Sequence, residues 1–529
     1  MFDYFLFLIF VLYFLLAGRG SIIILNHFLE NKFLIDKEEI FGIKLFYFYP
    51  IIGLFAIGNF ITIYNFISPI NLRFFLFSTL ILLPNFNEKI QLNIITPFLI
   101  KISIISIPLI IGFYNIGLHY DAGLYHLNHQ SILRENKIIF GLSNLYSHYG
   151  FSSIMEYLHA ALWIEENVYF IKYVQMIFFL FLFLFLLENI VTSKFFMARN
   201  ISFLTVLYLS LDNFGFGGGL NGTPNIQGLT KFDSIFSINF YIFVFMYFIA
   251  RKKNVYSPNE FRILLLFAFF TSQIRPTGYV LFILIFSLIF NYSISFKKIF
   301  YHNIILFISI FIWIVKNIVT TGCIFFPLSV SCISTLKWSS KQQANAIANN
   351  SKSYFINSVF EQELSLQILK NVFISLIIIF LIILFFKIKQ NIKVSFDITF
   401  IVFSFVNIYM IINLLPSSRF FGGFYLSLIP GLYYLFSNES KLFSSKKTSI
   451  YILIFSLIFI PNLSQYRSIQ LFETSSNVLK PVKTEYLVYA DTTFVTPKIG
   501  DTCWVNPNCI PVQTYPNKIS FYNYTMFVK

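Results

Sequence analysis

Long apolar runs, broken by short polar stretches, set the pattern of this chain. A helix needs roughly 20 apolar residues, at about 1.5 Å each, to cross a bilayer core. Candidate runs lie near 3–25, 45–66, 71–85, 97–116, 168–191, 198–213, 235–251, 260–274, 277–293, 301–319, 367–388, 396–415, 419–437 and 448–462. The pattern predicts an all-α polytopic membrane protein with about 14 transmembrane helices. The runs at 71–85, 260–274 and 448–462 are the shortest. Asp3 is the only charged residue ahead of the first run, and neither a basic n-region nor a small-residue cleavage site is evident. That run is therefore read as a retained helix.

The polar positions between the runs give an orientation. Basic clusters stand at Arg251-Lys252-Lys253, at Lys297-Lys298, at Lys387, Lys389 and Lys393, and at Lys441, Lys446 and Lys447. All four fall on one side if the spans alternate, and the positive-inside rule makes that side cytoplasmic. The expected organisation follows. Residues 1–116 form N-terminal transmembrane helices. Residues 117–166 form an external loop of catalytic type with re-entrant or surface-lying helices. Residues 167–319 form a central bundle, 320–366 an external loop, 367–462 the C-terminal transmembrane helices, and 463–529 an external tail.

Composition agrees with this picture and narrows the function. The 529 residues are 57% hydrophobic and 12% charged, against about 45–50% and 25% in soluble proteins. A soluble enzyme and a disordered chain are both excluded. The net charge of +15 is what cationic loops supply, so it gives no reason to expect nucleic acid as a partner. Gly217-Gly218-Gly219 follows no strand pattern and lacks a Lys-Ser/Thr ending, so it reads as an external turn rather than a phosphate cradle. Cys323 with Cys332, and Cys503 with Cys509, are disulfide candidates on the outward, oxidising side. Neither pair is C-x-x-C, which argues against redox catalysis.

The candidate chemistry gathers in 117–166, which holds five of the seven histidines between His119 and His159. Asp121, Tyr125 and His129 would share one face of a helix. A carboxylate beside imidazoles suits a general base or a divalent-metal ligand. The plainer alternative is an interfacial amphipathic helix. Asp233 and Asp212 stand at span ends, where a carboxylate serves equally as a helix cap. Arg275 and Arg419 sit where spans meet the outer face, and a guanidinium there suits a phosphate. Snorkelling or an internal ion pair is the alternative. The expected substrate-binding set is Tyr125, His126, Asp233, Arg275 and Arg419, with Asp121 catalytic.

The string from Asp121 through Leu124-Tyr125-His126, Gly141-Leu142-Ser143-Asn144-Leu145 and Gly150-Phe151-Ser152-Ser153 resembles a signature of bacterial polytopic membrane proteins related to GT-C glycosyltransferases. Gly322, Phe326, Pro327 and Trp338 resemble a second stretch of that family, and the tail GDTCWVNPNCIP a third. The resemblance implies a GT-C-like fold in the bacterial inner membrane, with a periplasmic or extracellular active face. It implies transfer of a sugar from a polyprenyl-phosphate-type carrier to a glycan, lipid or protein acceptor, with Asp121 as base. It requires no organic cofactor and allows a divalent cation, Mg or Mn. Two departures stand out: the motif follows the fourth apolar run rather than the first, and no second acidic residue adjoins Asp121. Rival readings are a polysaccharide or lipid-sugar flippase, an O-antigen-type ligase or polymerase, and a non-catalytic membrane assembly protein.

Overall fold

The computed structural model describes residues 2–360 apart from 30–31, 36–37, 72, 75–77, 87–91, 114–117, 119, 165–166, 214–227, 254–256 and 292–294. Beyond these it describes 398–414, 422–436, 484–489, 492–498, 503, 509, 517–521 and 524–528. The chain is mostly helical. Its main helices are α1 (Phe2–Asn26), α2 (Tyr49–Asn65), α3 (Leu92–Phe113), α4 (Leu127–Glu135), α5 (Ile154–Ala161), α6 (Ile171–Thr192) and α7 (Phe196–Asn213). There follow α8 (Asp233–Lys253), α9 (Pro258–Ile274), α10 (Leu281–Asn291), α11 (Ile304–Thr321), α12 (Lys341–Phe360), α13 (Ile398–Leu414) and α14 (Gly422–Phe436).

Most of the apolar runs coincide with these helices. Among the described residues five helical segments are long and apolar enough to cross a membrane: α1, Leu45–Asn65 containing α2, α6, α8 and α11. This fits a membrane protein. The run at 71–85 departs from expectation: its described end is a 3-10 helix, Thr79–Phe86, that includes Pro84, which cannot donate to an α-helical ladder. The runs at 367–388 and 448–462 lie outside the described residues.

Burial sorts the helices into layers. The apolar window of α8 is 100% buried and that of α6 89%, whereas α11 is only 39% buried. The first two form the centre, and α11 lies at the edge. α8 opens on Asp233 and closes on Arg251-Lys252-Lys253, each charge placed to favour its end of the helix dipole. α9 starts with a capping box, Ser257 with Glu260, and Pro258 in its first turn. α1 and α2 touch backbone to backbone: a Cβ on Gly18 would stand 1.9 Å from the Tyr49 carbonyl oxygen, the close approach that small residues permit between membrane helices.

The expectation of an all-helical chain fails in two places. A short hairpin pairs β1 (Glu39–Ile40) with β2 (Ile43–Lys44). In the C-terminal region β3 (Thr484–Tyr489) pairs with β4 (Thr492–Pro497), and β5 (Asn517–Phe521) with β6 (Tyr524–Val528), all antiparallel. The strands TEYLVY and TTFVTP are rich in β-branched and aromatic residues, the composition that favours strands.

The 117–166 segment packs into the protein. Leu127 to Leu133 of α4 and all of α5 are buried. Two distant parts of the chain cover this segment. Phe140 accepts a hydrogen bond from Phe527 of β6 and donates one to Thr525. Gly141, at φ 63°, leaves room for the Phe527 carbonyl and for Trp338.

Candidate functional site

The tripeptide Lys231-Phe232-Asp233 organises one end of the bundle. Gln175 of α6 donates to the carbonyls of Gly228 (3.1 Å) and Lys231 (2.5 Å), which fixes the turn before α8. Lys231 then reaches the Asp121 carboxylate, and Asp233 pairs with Arg275. The Phe232 ring between them packs against His126 and His159, with ring centroids 4.9 and 5.3 Å apart. Arg275 owes its position to Pro276: a residue before proline is driven out of the helical region, and Arg275 is extended at φ −150°, ψ 144°.

The expected site residues Asp121, Asp233 and Arg275 are therefore held in two ion pairs whose members Lys231 and Asp233 flank Phe232, and Tyr125 bonds Asp121. Lys231, the partner of Asp121, was not singled out in the sequence. The side chains of Asp233 (1% exposed), Lys231 (4%) and Asp121 (13%) are largely withdrawn from water. Arg275, expected at a phosphate, is here the counter-ion of Asp233. Arg419 and His119 lie outside the described residues, as does the side chain of Asp212.

Asp121 precedes a π-helical turn, Ala122–His126. The widened turn keeps Tyr125 over Asp121, to which its hydroxyl donates at 3.2 Å. His129, expected to share a helix face with Asp121, has its partner elsewhere. His129 and His126 instead donate from Nδ1 to the two oxygens of Glu156 on α5, at 2.5 and 2.9 Å. A carboxylate only accepts, so it fixes both rings with the proton on Nδ1. Among the described residues no group of three or more His, Cys, Asp or Glu could hold a metal ion.

Electrostatics around Glu156 follow from burial and from these bonds. Burial raises the carboxyl, but the two imidazoles bonded to it outweigh that and hold it down at about 2. Burial pushes His126 below its ordinary value although Glu156 and Asp121 pull it up. Burial likewise pushes His148 down to about 4 and His159 to about 3. His148 stacks on Tyr125 with centroids 5.0 Å apart. Neither ring nitrogen of His159 has a hydrogen-bond partner, nor do the buried hydroxyls of Tyr149 and Tyr157. Such orphans cost about 1–3 kcal/mol each and cluster here around one carboxylate. Lys316 of α11, fully buried, donates to Ser152 and lies 4.2 Å from the Trp313 ring centroid.

Glu156 was hidden in the sequence by its other role. Ser153 and Glu156 form a capping box at the start of α5, so S-x-x-E reads as a helix start and nothing more. The useful signal was the count of histidines upstream.

The residues that carry the family resemblance meet in space. Asn144 donates to the carbonyls of Trp338 and Phe527, both at 3.0 Å. Ser143 bonds Ser340, and Trp338 donates to the Ile318 carbonyl at 2.9 Å. A Cβ on Gly150 would stand 2.5 Å from the Phe326 ring. Disulfides join Cys323 to Cys332 and Cys503 to Cys509. The second lies directly over the Asp121 turn: the Cys503 amide donates to the Gly123 carbonyl at 2.9 Å, and Asn128 donates to the Cys509 carbonyl at 3.0 Å.

Residues 2–426 match the family described as a domain of unknown function, DUF8201, and the chain belongs to that family. Nothing among curated proteins or solved structures matches the chain.

Proposed function

We propose that this chain is a GT-C-like membrane glycosyltransferase that moves a sugar from a polyprenyl-phosphate-type carrier to an acceptor at the outer face of a bacterial inner membrane. The observation that supports it most is a pair of carboxylate–cation contacts, Asp121 with Lys231 and Asp233 with Arg275, made by residues two apart at the start of α8. A helix N-terminus flanked by cations is a ready phosphate site. An arriving phosphate would take Lys231 and Arg275 as its partners. Asp121, released from Lys231, would then accept the proton of the acceptor hydroxyl. The acceptor oxygen bonds to the anomeric carbon as the bond from that carbon to the phosphate oxygen breaks. The configuration inverts, and the phosphate leaves on the cations. Arg419 is a further cation for the same phosphate in this reading, and about 14 transmembrane helices complete it. The acceptor is a glycan, lipid or protein.

The test is transfer from a panel of polyprenyl-phosphate sugars by the full chain in reconstituted membranes. Asp121→Asn should lower the rate about 10²–10⁴-fold, the usual worth of a general base, while Lys231→Ala should chiefly weaken donor binding. Because Asp121→Asn strands a buried lysine, the double variant Asp121→Asn, Lys231→Met serves as the folded control. Transfer at the wild-type rate by either Asn variant rules out Asp121 as the base.

A further inference from the structure

A second site lies at the other end of the bundle. On α6, Gln175 touches the Lys231 turn, while Glu188 lies 13 residues further on, about 20 Å along the axis. There a cavity of about 230 Å³ opens between the β1–β2 hairpin, the start of α3 and the end of α6. Its polar centre is Glu188, 4% exposed, which accepts from both Tyr47 and Lys101. Lys101 also donates to the Tyr47 hydroxyl at 3.0 Å. Lys44 and Lys194 complete the lining, both exposed, and among the described residues neither has an ion-pair partner. Glu39, opposite Lys44 in the hairpin, also lines the cavity.

Charged groups within apolar helices are costly and usually face a cavity or a ligand. Here Glu188 is already satisfied by Lys101 and Tyr47. The two exposed lysines are left to act on whatever enters. Phe98 and Phe195 make the apolar wall. On α3, whose Pro97, Phe98 and Lys101 line the cavity, Ile100, Ile104, Ile107 and Ile111 follow at 55%, 63%, 52% and 40% exposure, one stripe at helical spacing. Glu188 stands about 6 Å inside the end of α6, and Lys194 lies just past that end at Thr192, where a spanning helix of about 33 Å leaves the hydrocarbon core of about 30 Å for the headgroups.

We propose that this cavity holds the phosphate headgroup of a membrane phospholipid, bound by Lys44, Lys194 and the free side of the Lys101 ammonium, with an acyl chain along the α3 isoleucine stripe. A cationic pocket alone would suit any small anion. The exposed stripe on the helix that carries Lys101 is what favours a lipid. The site is separate from the Asp121 cluster and does not depend on the reaction proposed there.

The test is native mass spectrometry of the full chain in detergent, titrated with phosphatidylglycerol and, separately, with inorganic phosphate. Lys44→Glu with Lys194→Glu should lower retained phosphatidylglycerol at least tenfold, and Lys44→Arg with Lys194→Arg should keep it. Both lysines are exposed, so the thermal midpoint should not move. Lys252→Glu, a charge reversal outside the cavity, should leave lipid binding unchanged. Retention of wild-type lipid by the double Glu variant overturns the proposal. Inorganic phosphate binding as tightly as the lipid assigns the cavity to a free anion and also overturns it.

Discussion

The two ends of this bundle hold charge in opposite ways. At the Asp121 end, Glu156, His126, His129, Lys231 and Asp233 are all buried, and each leans on another ionisable group. At the cavity end, Lys44 and Lys194 remain exposed, beside the ion pairs Lys101–Glu188 and Lys253–Glu260. The difference is one of desolvation. Buried charges are strongly coupled and fail together when one is removed, whereas exposed ones are screened and nearly independent. The first arrangement costs stability and suits chemistry. The second suits reversible capture.

Acid separates the ends most sharply. Unfolded histidines take up protons near pH 6.5, whereas folded His148 and His159 resist until about pH 4 and about 3. The unfolded chain then binds more protons, so stability falls with falling pH, by up to about 1.4 kcal/mol per unit for each histidine. Below about pH 4.5 Glu156, held down at about 2, adds a loss of the same sign. Several kcal/mol should be gone by pH 4. Trp163, Trp313 and Trp338 lie near the histidine end, so tryptophan fluorescence should report the change. No histidine lines the cavity, and hydrogen exchange in its β1–β2 hairpin should respond later. Simultaneous loss at both ends would break the contrast.

Removing the hub is the next largest change. Glu156→Ala leaves two buried imidazoles without their acceptor and should cost about 3–5 kcal/mol, read as the thermal midpoint in detergent. A loss below about 1 kcal/mol would mean the cluster is not coupled. Gly150→Ala should cost about 1–3 kcal/mol by pressing on Phe326, and should make the 320–340 region easier to proteolyse. Lys44→Ala should change stability by less than about 0.5 kcal/mol. A larger effect would show that the cavity end is coupled after all.

What could be read from the sequence follows the same physics. Apolar runs announce helices because burying backbone in an apolar medium leaves few alternatives, and α6, α8 and α11 lie where the pattern put them. Asp121 stood out as a carboxylate among histidines, and it is paired with Lys231 and bonded by Tyr125. Lys231 did not, because a lysine in a loop before a span is ordinary until the fold turns it inward. Glu156 was masked by the local capping signal. His129 finds its partner in Glu156, 27 residues on, and no periodicity along one helix announces a contact with another. The strands of the tail were missed because hydropathy weighed the apolar runs and passed over alternation outside them. Of the residues quoted for the family resemblance, Gly141, Asn144, Gly150, Phe326 and Trp338 join distant segments through packing and hydrogen bonds. Their spacing reflects that joint and does not by itself indicate a reaction.

The hydrogen bond from Asn128 to the Cys509 carbonyl spans 381 residues of sequence. At ribosomal speeds of about 5–20 residues per second, the Asp121 turn is made roughly 20–80 s before the loop that covers it. During that interval the carboxylates and imidazoles must be sheltered by water or by a helper protein. A chain stalled late in synthesis would carry the whole helical core and still display an open, uncapped centre, a state that quality-control proteases could recognise.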